Sequence, residues 1–118
     1  MEQVPEDVVQ QRSVVILPFP FSDLQRRKAR PAIIVSNNRY NRLSDDVVAV
    51  PLTSNLRPSE YNVPVTNKDM EYGKLVVDSR ARVDKLFSVE KRIIANHIGM
   101  VDGKTHTAIC KLLSALTR

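Results

Sequence analysis

Proline bounds or interrupts the apolar runs in the first half of this chain before any of them reaches helical length. Pro18 and Pro20 close residues 14–17 (VVIL), Pro31 opens residues 32–35 (AIIV), and Pro51 falls inside residues 47–52 (VVAVPL). Proline has no N–H to give to a ladder and clashes with the preceding turn of a helix. Valine and isoleucine fill pleated surfaces well. These runs therefore predict three short strands, with Pro51 marking an edge or a strand end. Residues 62–66 (NVPVT) predict a fourth, and residues 74–77, 82–89 and 93–101 are further strand candidates, RVDKLFSV alternating at period two. The segments between them, 18–30, 37–46, 54–62 and 67–73, are rich in turn residues and read as loops.

Only the last seventeen residues change period. In DGKTHTAICKLLSALTR, Ile109, Leu112, Leu113 and Leu116 share one helical face, with Asp102 as N-cap. Many short strands and one closing helix predict a mostly β, small barrel-like domain. With 118 residues the chain supports one core. Residues 1–11 read as a loose tail and 12–118 as a single domain. Neither an apolar run of membrane-spanning length nor a secretory leader is visible, and Cys110 is the only cysteine, so no intrachain disulfide forms. A reducing cytoplasm is the expected compartment, with no membrane partner.

Charge is concentrated. The formal net charge is +5, yet residues 24–42 alone hold Arg26, Arg27, Lys28, Arg30, Arg39 and Arg42 and no acid. Such density is the footprint of a polyanion partner or the mark of a solvated basic loop. Several chemistries find no support. His97 and His106 have no metal-motif partner and read as structural or solvated, and Cys110 reads as a small packing residue. Phosphate-cradling glycine loops are absent, and Asp45-Asp46 reads as a turn. No cofactor or metal is expected.

What remains is Arg30, immediately before the second strand, and Thr53 and Ser54, immediately after the third. If those strands pair, the three meet at one end of a sheet. Arginine presents a permanently charged planar fork suited to phosphate, and a threonine hydroxyl donates to a second oxygen. Together they stabilise a pentacoordinate phosphorane. Spacing alone supports equally a plain reading: Arg30 in a surface ion pair and Thr53 capping a turn.

Three blocks resemble the MazF/PemK-type toxins of bacterial type II toxin–antitoxin systems. VVILPFPFSDLQRRKARPAIIVSN is similar to their first two strands and VVAVPLTS to the next. DSRARVDKLFSVEKRIIANHIGMVD is similar to the later segment leading to the closing helix. The resemblance covers residues 12–117. It departs at Arg12-Ser13, where Gly-Asp is usual, and at Lys85, where several relatives carry glutamine. It implies a small SH3-like barrel with helices, a two-fold homodimer, and a cognate antitoxin whose C-terminal segment lies over an RNA groove. The implied activity is metal-independent, sequence-specific cleavage of single-stranded RNA, leaving 2′,3′-cyclic phosphate and 5′-hydroxyl ends. The family's catalytic arginine and threonine fall on Arg30 and Thr53.

On this resemblance Arg26, Arg27 and Lys28 draw in phosphates, and Arg80 and Arg82 extend the track. Phe19, Phe21, Ser22, Asp23, Ser54, Asp84 and Lys85 are candidate RNA contacts. Core packing is the competing role for the two phenylalanines, and an ordinary cross-strand charge pattern the competing role for Asp84 and Lys85. The same barrel also hosts toxins that poison gyrase by binding it, and a non-catalytic nucleic-acid-binding module is a third reading.

Overall fold

The computed structural model describes residues 9–18 and 29–118. Its frame is a curled antiparallel sheet with a C-terminal helix. The strands are β1 (Ser13–Pro18), β2 (Ala29–Ile34), β3 (Asp46–Thr53), β4 (Asn62–Val65), β5 (Met70–Gly73), β6 (Ser79–Arg82), β7 (Phe87–Glu90) and β8 (Asn96–Val101). A short helix α1 (Asn38–Leu43) joins β2 to β3, and α2 (Gly103–Leu116) ends the chain. The strand order is β4-β6-β3-β2-β1-β8-β5, with β7 also on β3. The expected mostly β barrel with a closing helix is what forms.

The central strands are buried on both faces, and alternation sorts their side chains into two cores. Val14, Ile33, Val50 and Leu52 face one way and pack with Val65, Ala81, Val101 and Ile109, with Leu112 and Leu113 of α2 against them. Val15, Leu17, Ala32, Ile34, Val47 and Ala49 face the other way and pack with Val9 and Ile94. Helix α2 docks by the predicted stripe, although Leu116 at its end stays exposed. Its N-cap is the predicted one: Asp102 Oδ1 accepts from the Thr105 N–H at 2.8 Å. That bond holds the Asp102 carboxyl below the usual carboxylate range.

Several expectations need correction. Residues 67–73 are not a simple turn: a 3-10 turn at Asn67–Asp69, closed by a capping box from Thr66, leads into β5. Residues 74–77 form no strand; Leu75 alone is buried, while Val76 is 96 % exposed. Residues 82–89 are not continuous, because the 3-10 turn Val83–Lys85 separates β6 from β7. That break lets both strands line the same edge of β3, with registers offset from each other. The polar stretch 37–46 contains α1, whose N-cap Asn37 accepts from the Tyr40 N–H at 2.8 Å. Residues 9–11, expected in the tail, are tied down. Val9 is buried, the Gln11 N–H donates to Asn38 Oδ1 at 2.8 Å, and Gln11 Nε2 donates to the Val35 carbonyl at 2.9 Å.

Arg12, which stands where glycine is usual in the resembling family, adopts φ +78°. For a non-glycine residue that conformation costs about 1–2 kcal/mol. Its N–H donates to the Ile34 carbonyl at 2.7 Å, and its guanidinium donates to the Val101 carbonyl at 3.1 Å and to Glu71 Oε1 at 3.2 Å. These bonds hold the strained turn.

Two of the three glycines meet at one crossing. Gly73 of β5 pairs with Gly99 of β8, and Gly73 has φ +80°. A Cβ on Gly73 would lie 2.1 Å from the Ile98 carbonyl oxygen, whereas one on Gly103 would meet nothing within 4 Å. Gly73→Ala is therefore expected to cost about 1–3 kcal/mol and to lower Tm by roughly 5–15 °C. Gly103→Ala should leave Tm unchanged or raise it. Thermal unfolding followed by circular dichroism checks both.

Candidate active site

Strands β2 and β3 pair antiparallel through Ala32↔Pro51, Ile33↔Val50 and Ile34↔Ala49. The ladder pairs end at Ala32↔Pro51; extended two residues further, the same register would set Arg30 opposite Thr53. Alternation gives the same answer: Arg30 follows the side of Ala32 and Ile34, and Thr53 that of Ala49 and Val47. On the far side of β3, Thr53 pairs with Arg80, which in turn pairs with Pro64. On the near side Arg30 pairs with Leu17. With that extension a polar row would cross three strands, Arg30–Thr53–Arg80, its Thr53–Arg80 pair being part of the β3–β6 ladder.

Arg30 is exposed, and among the described residues no carboxylate forms an ion pair with it. The surface ion pair of the plain reading does not form there. The other half of that reading does hold. Thr53 Oγ1 accepts from the Asn55 N–H at 3.1 Å and so caps the turn after β3. This bond occupies one lone pair and leaves the O–H proton free to donate elsewhere.

The remaining candidates separate. Arg80 is committed on two sides: Nε donates to the Leu56 carbonyl at 3.0 Å and Nη1 to Asn62 Oδ1 at 2.9 Å. Arg82 is engaged with another candidate, Asp84, through a two-pronged pair of 3.0 and 2.8 Å. Arg82 holds the Asp84 carboxyl below its ordinary range, and Asp84 raises the Arg82 guanidinium in return. The pair is local, two residues apart and reaching into the 3-10 turn Val83–Lys85, so it is not the cross-strand charge pattern weighed as the competing role for Asp84 and Lys85. Ser54 and Lys85 are exposed. Phe19, Phe21, Ser22, Asp23, Arg26, Arg27 and Lys28 lie outside the described residues; the residues flanking that segment, Pro18 and Ala29, pair at this same end of the sheet.

The basic run from 24 to 42 is not one footprint. Arg30 stands at one end of β2, whereas Arg39 and Arg42 ride on α1 beyond the other end. Charge changes sign along β3. An open cleft of about 460 Å³ at its first residues is lined by Asp45, Asp46, Glu90 and Arg92. Its three carboxylates disfavour a polyanion at that end.

Two residues missed in the sequence complete the geometry. Asn62, buried, donates from Nδ2 to the Arg57 carbonyl at 3.1 Å and accepts from the Ser59 N–H at 3.3 Å. Asn55 Oδ1 accepts from the Arg57 N–H at 3.1 Å. Asparagines flanking a proline-containing loop were the available signal, since their side chains bond backbone two residues on.

The groups at α2 offer no competing centre. Cys110, expected to pack, is exposed, with Sγ 3.4 Å from His106 Nε2. Partial burial pushes the Cys110 thiol up, and burial together with the nearby Arg12 charge pushes the His106 imidazole down, neither shift favouring a thiolate. His97 lies half-buried with its ring 6.1 Å from that of Tyr72. Among the described residues no three His, Cys, Asp or Glu side chains gather to hold a metal ion, and no helix is long and apolar enough to cross a membrane.

Residues 10–117 match the family model described as PemK-like, MazF-like toxin of type II toxin–antitoxin system. The chain belongs to this toxin family. Solved structures agree. The fold is similar to an endoribonuclease in complex with its cognate antitoxin from a mycobacterial species, at 24 % identity and TM-score 0.77, covering 93 % of this chain and 95 % of that one. It is similar to a second mycobacterial endoribonuclease at 27 % identity and TM-score 0.73, covering 92 % and 90 %. It is also similar to a MazE–MazF structure from Deinococcus radiodurans at 20 % identity and TM-score 0.77, covering 93 % and 96 %. No curated protein matches the chain in sequence.

In this PemK/MazF-like toxin, Asp84 neutralises Arg82 and so would act against anion binding if Arg82 faces a bound polyanion. Asp84→Asn should elute from a heparin column at higher salt than wild type. It should also elute later than Asp45→Asn, which makes the same net charge change at the acidic end of β3. Equal elution of the two variants would show that Arg82 does not face the bound polyanion.

Proposed function

We propose that the protein is the toxin of a type II toxin–antitoxin pair. In this reading it is a homodimeric, metal-independent, sequence-specific endoribonuclease that cuts single-stranded RNA at the Arg30–Thr53 end of the sheet. One observation carries this reading: the β2–β3 register, which, extended to the strand ends, brings the exposed Arg30 opposite Thr53, whose hydroxyl already has one lone pair engaged. The likeness to an endoribonuclease at 27 % identity supports the reaction class, and relatives solved with antitoxins support a cognate antitoxin as partner.

In the proposed reaction the RNA supplies its own nucleophile. The 2′-oxygen attacks the adjacent phosphorus, the P–O5′ bond breaks, and a 2′,3′-cyclic phosphate and a 5′-hydroxyl result. Arg30 donates to the non-bridging oxygens as charge builds on them, and the Thr53 O–H donates to one of the same oxygens. A guanidinium does not accept a proton near neutrality. The 2′-proton therefore leaves to solvent, and the 5′-oxygen takes one from solvent. Holding the 2′-oxygen in line with the P–O5′ bond supplies much of the remaining acceleration. Three further cations, Arg26, Arg27 and Lys28, belong to the segment joining β1 to β2 and add to the positive potential that gathers RNA.

The purified protein is expected to cut a mixed-sequence RNA in excess EDTA. Arg30→Ala and Thr53→Val should each lower the rate by ~10²–10³. A substrate carrying 2′-deoxyribose at the scissile position should survive intact. Cleavage of that substrate, or full activity in Arg30→Ala, would exclude the mechanism. Gyrase inhibition without RNA cleavage would point instead to the protein-binding alternative.

A further inference from the structure

The loop 54–61 has no regular secondary structure, and residues 54–60 are all exposed. Apolar burial therefore does not hold it, and leaving it free would gain conformational entropy of about 1–2 kcal/mol per residue. A continuous series of hydrogen bonds holds it instead. Arg80 reaches across to the Leu56 carbonyl and to Asn62 Oδ1. Asn62 binds the backbone of Arg57 and Ser59. Asn55 Oδ1 holds the Arg57 N–H, and the Asn55 N–H ends the series on Thr53 Oγ1. Arg80 is also the ladder partner of Thr53 itself.

We propose that Arg80 is a positioning residue for Thr53: its fork clamps the loop 54–61, and the clamped loop aims the Thr53 hydroxyl. This inference rests on the reading of Arg30 and Thr53 given above and refines the sequence expectation that Arg80 is one more phosphate contact. The physical reason lies in the acceptor side of the hydroxyl. While the Asn55 N–H occupies one lone pair, the O–H proton is confined to the remaining directions. Released from Arg80, the loop carries Asn55 away, and the hydroxyl rotates among all its staggered positions. Lysine cannot substitute. One ammonium on a flexible stem does not reproduce two donors in a rigid fork aimed at a carbonyl and an amide oxygen.

The test is cleavage kinetics on a short single-stranded RNA under EDTA. Arg80→Ala is expected to lower kcat about 10–10²-fold with KM little changed, and Arg80→Lys should not restore it. Asn55→Ala, an exposed change that breaks the series without altering charge, should lower kcat in the same sense. In a Thr53→Val background, Arg80→Ala should cost nothing further, because the two act as a unit. The salt dependence of RNA affinity should be unchanged by Arg80→Ala. The proposal is overturned if Arg80→Ala keeps wild-type kcat while KM rises and the log–log salt slope falls by about 0.7, the signature of one lost phosphate contact on a single strand. It is equally overturned if the losses from Arg80→Ala and Thr53→Val add. Either result, with wild type active and Thr53→Val impaired, sinks this inference and leaves the nuclease reading standing. A wild-type protein without cleavage sinks the nuclease reading itself.

Discussion

The register between β2 and β3 is the constraint on which the site depends. It is held because both faces of these strands are buried: Ala32, Ile33 and Ile34 are all fully inaccessible, and they alternate between two separate cores. A slip of one residue would turn one strand over and send Ile33 into the wrong core. A slip of two keeps the faces but moves Arg30 and Thr53 apart by about 7 Å along the strand, beyond a shared oxygen. Two apolar cores that do no chemistry therefore determine the alignment of the groups proposed to do it.

That arrangement concentrates electrostatic cost at the strand ends. At the first residues of β3, Asp46 sits directly opposite Glu90, a like-charge pair that destabilises the ladder. Arg92 pairs with Glu90, and the adjacent Lys91, buried, donates from Nζ to the Asn41 carbonyl at 2.7 Å in the last turn of α1. At the other end, Arg80 and Arg82 are each engaged by oxygen acceptors. Arg30 is the cation of this end left exposed and, among the described residues, without a carboxylate. On the proposed reading, a bound phosphate would supply the counter-charge that the described residues do not.

Legibility in the sequence followed burial. Strands β1 to β3 and helix α2 were readable because their apolar residues are the ones buried, in runs bounded by proline or a cap. Strand β5 was not, because its residues MEYG carry little apolar surface and are largely exposed; it is held by pairing with β8, a long-range bond pattern with no local signature. Residues 74–77 failed in the opposite sense. KLVV looks like a strand, but only Leu75 turns inward, its N–H and carbonyl both bonded to the Asn67 side chain. At the site, Arg30 and Thr53 could be singled out because each borders a strand visible in the sequence. The role of Arg80 could not, because its partners lie 18 and 24 residues away and their approach depends on the β4–β6 ladder.

Pre-organisation differs across the polar row, and the difference bears on how it would act. Arg80 is fixed by two directional bonds and Thr53 by one, so neither loses much freedom when an anion arrives. Arg30 carries up to ~2 kcal/mol of side-chain rotamer entropy, which binding must remove. On the proposed mechanism, such a site would meet the phosphate with a rigid hydroxyl and order its guanidinium last. Its selectivity for the transition state then depends on charge accumulating on the phosphoryl oxygens. The Coulombic gain to Arg30 grows with that charge, whereas its ordering cost does not. On the proposed mechanism, Arg30, without a carboxylate among the described residues, would therefore contribute least to ground-state binding and most to the chemical step, where differential stabilisation raises the rate.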